Sequence, residues 1–91
     1  MGQVTFVDET TMGQREPGPR LDVAEERLTV RELIGRRMRR KADRERALKA
    51  FTANGLIVLV GDRQLTDLDE QVDLTADTEV TFLKLIPLVG G

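Results

Sequence analysis

Apolar and polar positions follow three different rhythms along this chain. In "QVTFV" they alternate, with Val4 and Phe6 on one side, which predicts a strand. The stretch "DETTMGQREPGP" is punctuated by glycine and proline and reads as a loop, after which alternation returns in "RLDVAEE" through Leu21 and Val23. Two short strands with a flexible connection predict a hairpin. The rhythm then becomes helical. "TVRE" has the spacing of a capping box: the Thr29 hydroxyl can accept from the Glu32 N–H while the Glu32 carboxylate accepts from the Thr29 N–H. Val30, Leu33, Ile34 and Met38 follow at three- and four-residue steps, a stripe that faces a core. Between Arg39 and Arg46 the stripe holds only Ala42, and it resumes at Ala47, Leu48 and Phe51. Either one long helix with its middle in water or two helices with a bend fits this pattern. "ANG" ends the helical region, with Gly55 the expected left-handed cap.

The last third reads as strand and turn. "LIVLV" is apolar on both faces, "GD" can turn it back into "RQLTDL", and "EQVDLTADTEVTFLKLI" contains a short approach followed by a long final strand. That strand points Val80 and Phe82 inward and sets Leu83 and Leu85 on the other face. A small domain with one main helix cannot cover both faces of its sheet, so Ile57, Leu59, Leu83 and Leu85 form a candidate docking face. The alternative is that the basic helical segment folds over it.

Ninety-one residues, 40% of them hydrophobic, make one domain able to build a core without disulfides or metal. The chain has no cysteine and no histidine, which removes thiolate nucleophiles, imidazole bases and the usual zinc ligands. No apolar run approaches the roughly 18 residues of a membrane span, and the N-terminus lacks the basic head and apolar centre of a secretion signal, so a cytoplasmic protein is expected. The net charge of -2 hides an asymmetry: from Arg36 to Lys49 eight basic residues face two acidic ones, +6, leaving -8 elsewhere. The core of that basic segment is Arg36, Arg37, Arg39, Arg40, Lys41 and Arg44. With no Trp or Tyr to stack on bases, nucleic acid is a poor fit, and a solvated helix face or a surface for an acidic partner fits better. The carboxylates Asp62, Asp67, Asp69, Glu70, Asp73, Asp77 and Glu79 read as turn formers and solubilising charge.

Two strands, a helix and further strands with an extended last one is the β-grasp order, and the sequence resembles the ubiquitin-like superfamily, of the bacterial type. "LIVLVGDRQLTD" resembles the ubiquitin segment in which an apolar strand turns into a Gln-Leu pair. "LTVRELI" resembles the helix start of the molybdopterin-synthase small subunit and the thiamine sulfur carrier, and "DTEVTFLKLIPLVGG" looks like the tail of those carriers. Three features depart from the carriers: only Pro87 stands where they often have two prolines, the final strand is slightly longer, and the Arg-rich segment has no counterpart. The resemblance implies an α+β, β-grasp fold. A mixed sheet packs on one main helix, an extra basic helical segment is added, and residues 1–86 form the domain while 87–91 form a flexible diglycine tail.

The resemblance also implies where the chemistry lies. An α-carboxyl titrates at about 3.3 to 3.7, so the Gly91 carboxylate is ionised at neutral pH and a poor electrophile. In ubiquitin-like proteins a partner enzyme uses ATP to convert it to an acyl-adenylate. The chain is then not an enzyme and binds no cofactor itself. Gly90 and Gly91 lack the Cβ that would block a narrow channel, Pro87 restricts the tail, and Leu88 and Val89 anchor it at the activating enzyme. Three functions follow: a protein modifier passed through a thioester to target amines, a sulfur carrier with a C-terminal thiocarboxylate, or a non-conjugated binding module. The modifier is favoured, with an activating enzyme, a conjugating enzyme, a deconjugating peptidase and target proteins as its partners.

Overall fold

The computed structural model describes residues 2–74 and 76–85. Among these residues seven strands and two helices follow in the order β1 (Gly2–Thr10), β2 (Arg15–Val23), β3 (Arg27–Thr29), α1 (Val30–Arg37), α2 (Lys41–Thr52), β4 (Leu56–Val60), β5 (Arg63–Leu65), β6 (Gln71–Asp73) and β7 (Thr78–Lys84). The main sheet has the order β2-β1-β7-β4-β5, with β1 and β7 parallel and the other neighbours antiparallel. This α+β arrangement, a mixed five-stranded sheet with two helices, is compatible with a β-grasp. Among the described residues no helix is long and apolar enough to cross a membrane.

The first hairpin is longer than its sequence suggests. Most of the expected loop is strand, and the turn shrinks to residues 11–14, closed by Thr10 N–H to Gln14 O at 2.9 Å. Pro17 and Pro19 are tolerated because β2 is an edge strand, where a missing N–H leaves no neighbour unpaired. Between the pairs Thr5–Arg20 and Val7–Pro17, Gly18 and Pro19 together oppose Phe6, a β-bulge. A Cβ on Gly18 would sit 3.0 Å from the Phe6 carbonyl oxygen, so the bulge brings two backbones too close for a side chain.

The capping box forms as read. The Glu32 N–H reaches Thr29 Oγ1 at 3.1 Å, and the Thr29 N–H reaches the Glu32 carboxylate at 3.2 Å. Two more of the helix's otherwise unpaired amides, Val30 and Arg31, donate to the carbonyls of Glu70 and Leu68, both at 3.0 Å. A small second sheet, β3 with β6, holds that loop in place and turns Leu28 and Val72 inward.

The helical region is broken, so of the two arrangements the pattern allowed, two helices with a bend is the one that forms. A straight continuation of the Val30–Leu33–Ile34 stripe would carry Lys41 and Arg44 over the sheet. The break at Met38–Arg40 re-phases the chain and delivers Ala47 and Phe51 instead. The longer helix, α2, carries four of the eight basic residues of the Arg36–Lys49 segment. Its end also differs by one residue: Asn54, not Gly55, adopts the left-handed conformation, at φ 62°. The Gly55 N–H then bonds Ala50 O at 2.7 Å and the Asn54 N–H bonds Phe51 O at 3.1 Å, the paired bonds of a Schellman motif.

Both helices pack on one face of the sheet. Val30, Leu33 and Ile34 of α1 and Ala47 and Phe51 of α2 join Val4, Phe6, Leu56, Val58, Val80 and Phe82 in the core. Phe6 and Phe82 stack at its centre with ring centroids 5.6 Å apart. Burying each such large side chain stabilises the fold by roughly 1.5–3 kcal/mol. Inward Val80 and Phe82 agree with the alternation read from the sequence, as does the β4–β5 turn, where Gly61 supplies a φ of 59°.

Candidate functional site

The tail residues Pro87, Leu88, Val89, Gly90 and Gly91 lie outside the described residues. The platform from which they continue is well defined. β7 is the middle strand of the sheet, between β1 and β4. Its end is held from both sides: the Thr11 N–H donates to Lys84 O and the Leu85 N–H donates to Gly55 O, each at 3.1 Å. β7 therefore ends at the centre of the sheet and not at a free edge.

Three of the four residues expected to form a docking face come together, whereas Leu85, just past the end of β7, lines a groove on the helical side. Register places Ile57 opposite Leu83 and Leu59 opposite Thr81, all on the face away from the helices. Ile57, Leu59 and Leu83 are half-buried, and Leu85 is 38% exposed. Val7, opposite Thr81 on β1, extends the patch and is buried, a member the sequence reading missed. The basic segment does not fold over this face, because both helices pack on the opposite one.

The six residues singled out in the basic segment divide into two groups. Arg36 and Arg37, in the last turn of α1, are structural. Arg36 pairs with Glu25 and fastens the β2–β3 connection to the helix. Arg37 reaches Asp8 at 2.7 Å, tying α1 to β1, although its buried Nε has no partner among the described residues. Both cations also oppose the negative end of the helix dipole. The Glu25 carboxyl lies below its ordinary range, first because its own backbone N–H donates to it and then because of Arg36. The other four, Arg39, Arg40, Lys41 and Arg44, surround the start of α2. Arg39, Arg40 and Lys41 are exposed there, and Arg40 occupies the cap position without a side-chain hydrogen bond.

Several carboxylates in the turns have defined partners. Asp67 accepts from the Asp69 N–H at 2.8 Å, Glu70 pairs with Arg63, and Glu79 pairs with Arg15 at 2.7 Å. Among the described residues no three carboxylates converge as a metal site. No family model matches the chain, and no curated protein was found to match it.

Proposed function

We propose that this chain is a ubiquitin-like β-grasp protein modifier whose reactive group is the Gly91 carboxylate. A ubiquitin-type activating enzyme supplies the chemistry. The carboxylate attacks the α-phosphate of ATP and displaces pyrophosphate; an enzyme thiolate displaces AMP to give a thioester; a target amine then displaces the thiolate to give an amide. Should residues follow Gly91, their removal comes first. The observation that carries the reading is the order β2-β1-β7-β4-β5 with β7 parallel to β1, because the strand that precedes "IPLVGG" in the sequence ends at the centre of the sheet and carries Leu83 of the apolar face. A partner gripping that face has the tail within reach: six residues extend at most about 20 Å. The expected setting is the cytoplasm, with a conjugating enzyme and a deconjugating peptidase as further partners.

The likeness of "DTEVTFLKLIPLVGG" to sulfur carriers favours a second reading, in which the adenylate is attacked by a sulfur donor and Gly91 becomes a thiocarboxylate. Intact mass after incubation with ATP and a ubiquitin-type activating enzyme from the same genome separates the two. A thiol-sensitive adduct with the enzyme, followed by stable adducts on target proteins, supports the modifier; exchange of one terminal oxygen for sulfur supports the carrier. With neither product the proposal fails, and the non-conjugated binding module is left. Lys41, Lys49 and Lys84 are the only lysines, so single attachments are expected over long chains.

A further inference from the structure

Between α2 and the sheet, at the end where β7 finishes, runs a groove of about 520 Å³. Its floor is Leu56, Phe82 and Ala47, all buried, and Met38, Ala50 and Leu85 line its sides. The groove exists because α2 turns two alanines towards this space, where larger side chains would close it. Its volume lies within the roughly 300–1,000 Å³ of pockets that enclose organic ligands, enough for a pair of anchoring side chains. The charged rim carries Arg37, Arg46 and Lys84 against Asp8 and Asp43. Asp8 is taken by Arg37, and Asp43 is shared at 4.0 Å by Arg40 and Arg46, while Lys84 makes no ion pair among the described residues. The exposed Lys41 and Lys49 of the same helix add to the positive field.

We propose that this groove docks an acidic, apolar peptide segment of a partner protein: one or two large aliphatic or aromatic side chains in the groove, flanked by Asp or Glu against Lys84 and Arg46. The apolar floor supplies the hydrophobic contribution, and the surplus of cations selects the flanks. Nucleic acid does not suit the same surface, because Phe6, Phe51 and Phe82 are all buried and leave no ring for a base to stack on. The docking site is independent of the modifier reading, since it uses neither the diglycine nor ATP.

Fluorescence anisotropy of the full chain with a fluorescein-labelled decapeptide, Leu-Phe-Leu between runs of Asp, tests it. Saturable binding is expected, weakening about tenfold when salt rises from about 50 to about 500 mM. Replacing the Asp residues of the peptide with Asn should cost a similar factor. Ala50→Glu, which narrows the groove and reverses its rim, and Lys84→Glu, at an exposed position, should each lower affinity about tenfold with unchanged circular dichroism. Leu59→Ser, on the other face, should leave it unaltered. The proposal is overturned if the peptide does not bind, if Lys84→Glu binds as well as the wild type, or if Leu59→Ser abolishes binding. It is equally overturned if removing residues 86–91 raises affinity about tenfold, which would make the chain's own tail the occupant, or if Ala50→Glu disperses a dimer instead, which would make it a second copy.

Discussion

The two helices lie end to end in sequence yet are held by different means. α1 is only eight residues long, but a reciprocal capping box opens it, two backbone carbonyls from the 68–70 loop satisfy its next amides, and ion pairs to Glu25 and Asp8 fasten its last turn. α2 has twelve residues; Arg40, 86% exposed at the side chain, stands at its cap and Lys41 opens it, both facing the positive end of its own dipole. Only Ala47 and Phe51 of α2 are buried. α1 is thus built into the fold from every side, whereas α2 is fixed mainly by its second half and its Schellman end.

This contrast has measurable consequences. Ile34→Ala, at a fully buried site on α1, should lower unfolding free energy by about 3 kcal/mol, while Leu48→Ala, half-buried on α2, should cost under half as much in the same urea titration. Equal losses would show that α2 is as integral as α1. At the two starts the signs should oppose: Thr29→Ala removes a working cap and costs about 1 kcal/mol, but Arg40→Asp supplies a missing one and should stabilise by about 0.5 kcal/mol. Thermal unfolding of both variants reads this out directly. The smallest effect concerns pH. Because the Glu25 carboxyl is held below its ordinary range in the folded state, its contribution is present above the unfolded value near 4.3 and is lost as pH falls through the lower folded one. Arg36→Gln should shallow that acid limb without flattening it, since the larger cause is Glu25's own backbone N–H.

What could be read from the sequence was what neighbouring residues decide. The capping box needs only Thr29 and Glu32, and the inward face of β7 needs only the alternation of Val80 and Phe82. The apolar outer face was legible in part: alternation turns Leu83 away from Val80 and Phe82, but Leu85 lies past the end of β7 and lines the groove on the helical side. Features set by distant partners were not. "REPGP" is a strand only because β2 is an edge lying on β1, a fact absent from the local pattern. The gap in the helical stripe was visible, but only packing over the sheet decides that re-phasing is better than burying Lys41 and Arg44. Asn54 took the left-handed role from its glycine neighbour because the last helical turn ends one residue earlier than the glycine suggests. The Asp8–Arg37 tie joins residues 29 apart, and the groove beside it depends on where α2 comes to rest. The tail, central to the functional reading, lies outside the described residues, and its role rests on the resemblance of "DTEVTFLKLIPLVGG" to the carriers.

Pyrophosphate exchange tests that reading most directly, because adenylation is reversible and needs neither a target nor a sulfur donor. With a ubiquitin-type activating enzyme from the same genome, the chain ending at Gly91 should drive incorporation of labelled pyrophosphate into ATP, and a chain lacking Gly91 should reduce it to the level of the enzyme alone. Equal exchange with and without Gly91, or none with either, would contradict the claim that the terminal carboxylate is the group on which this protein acts.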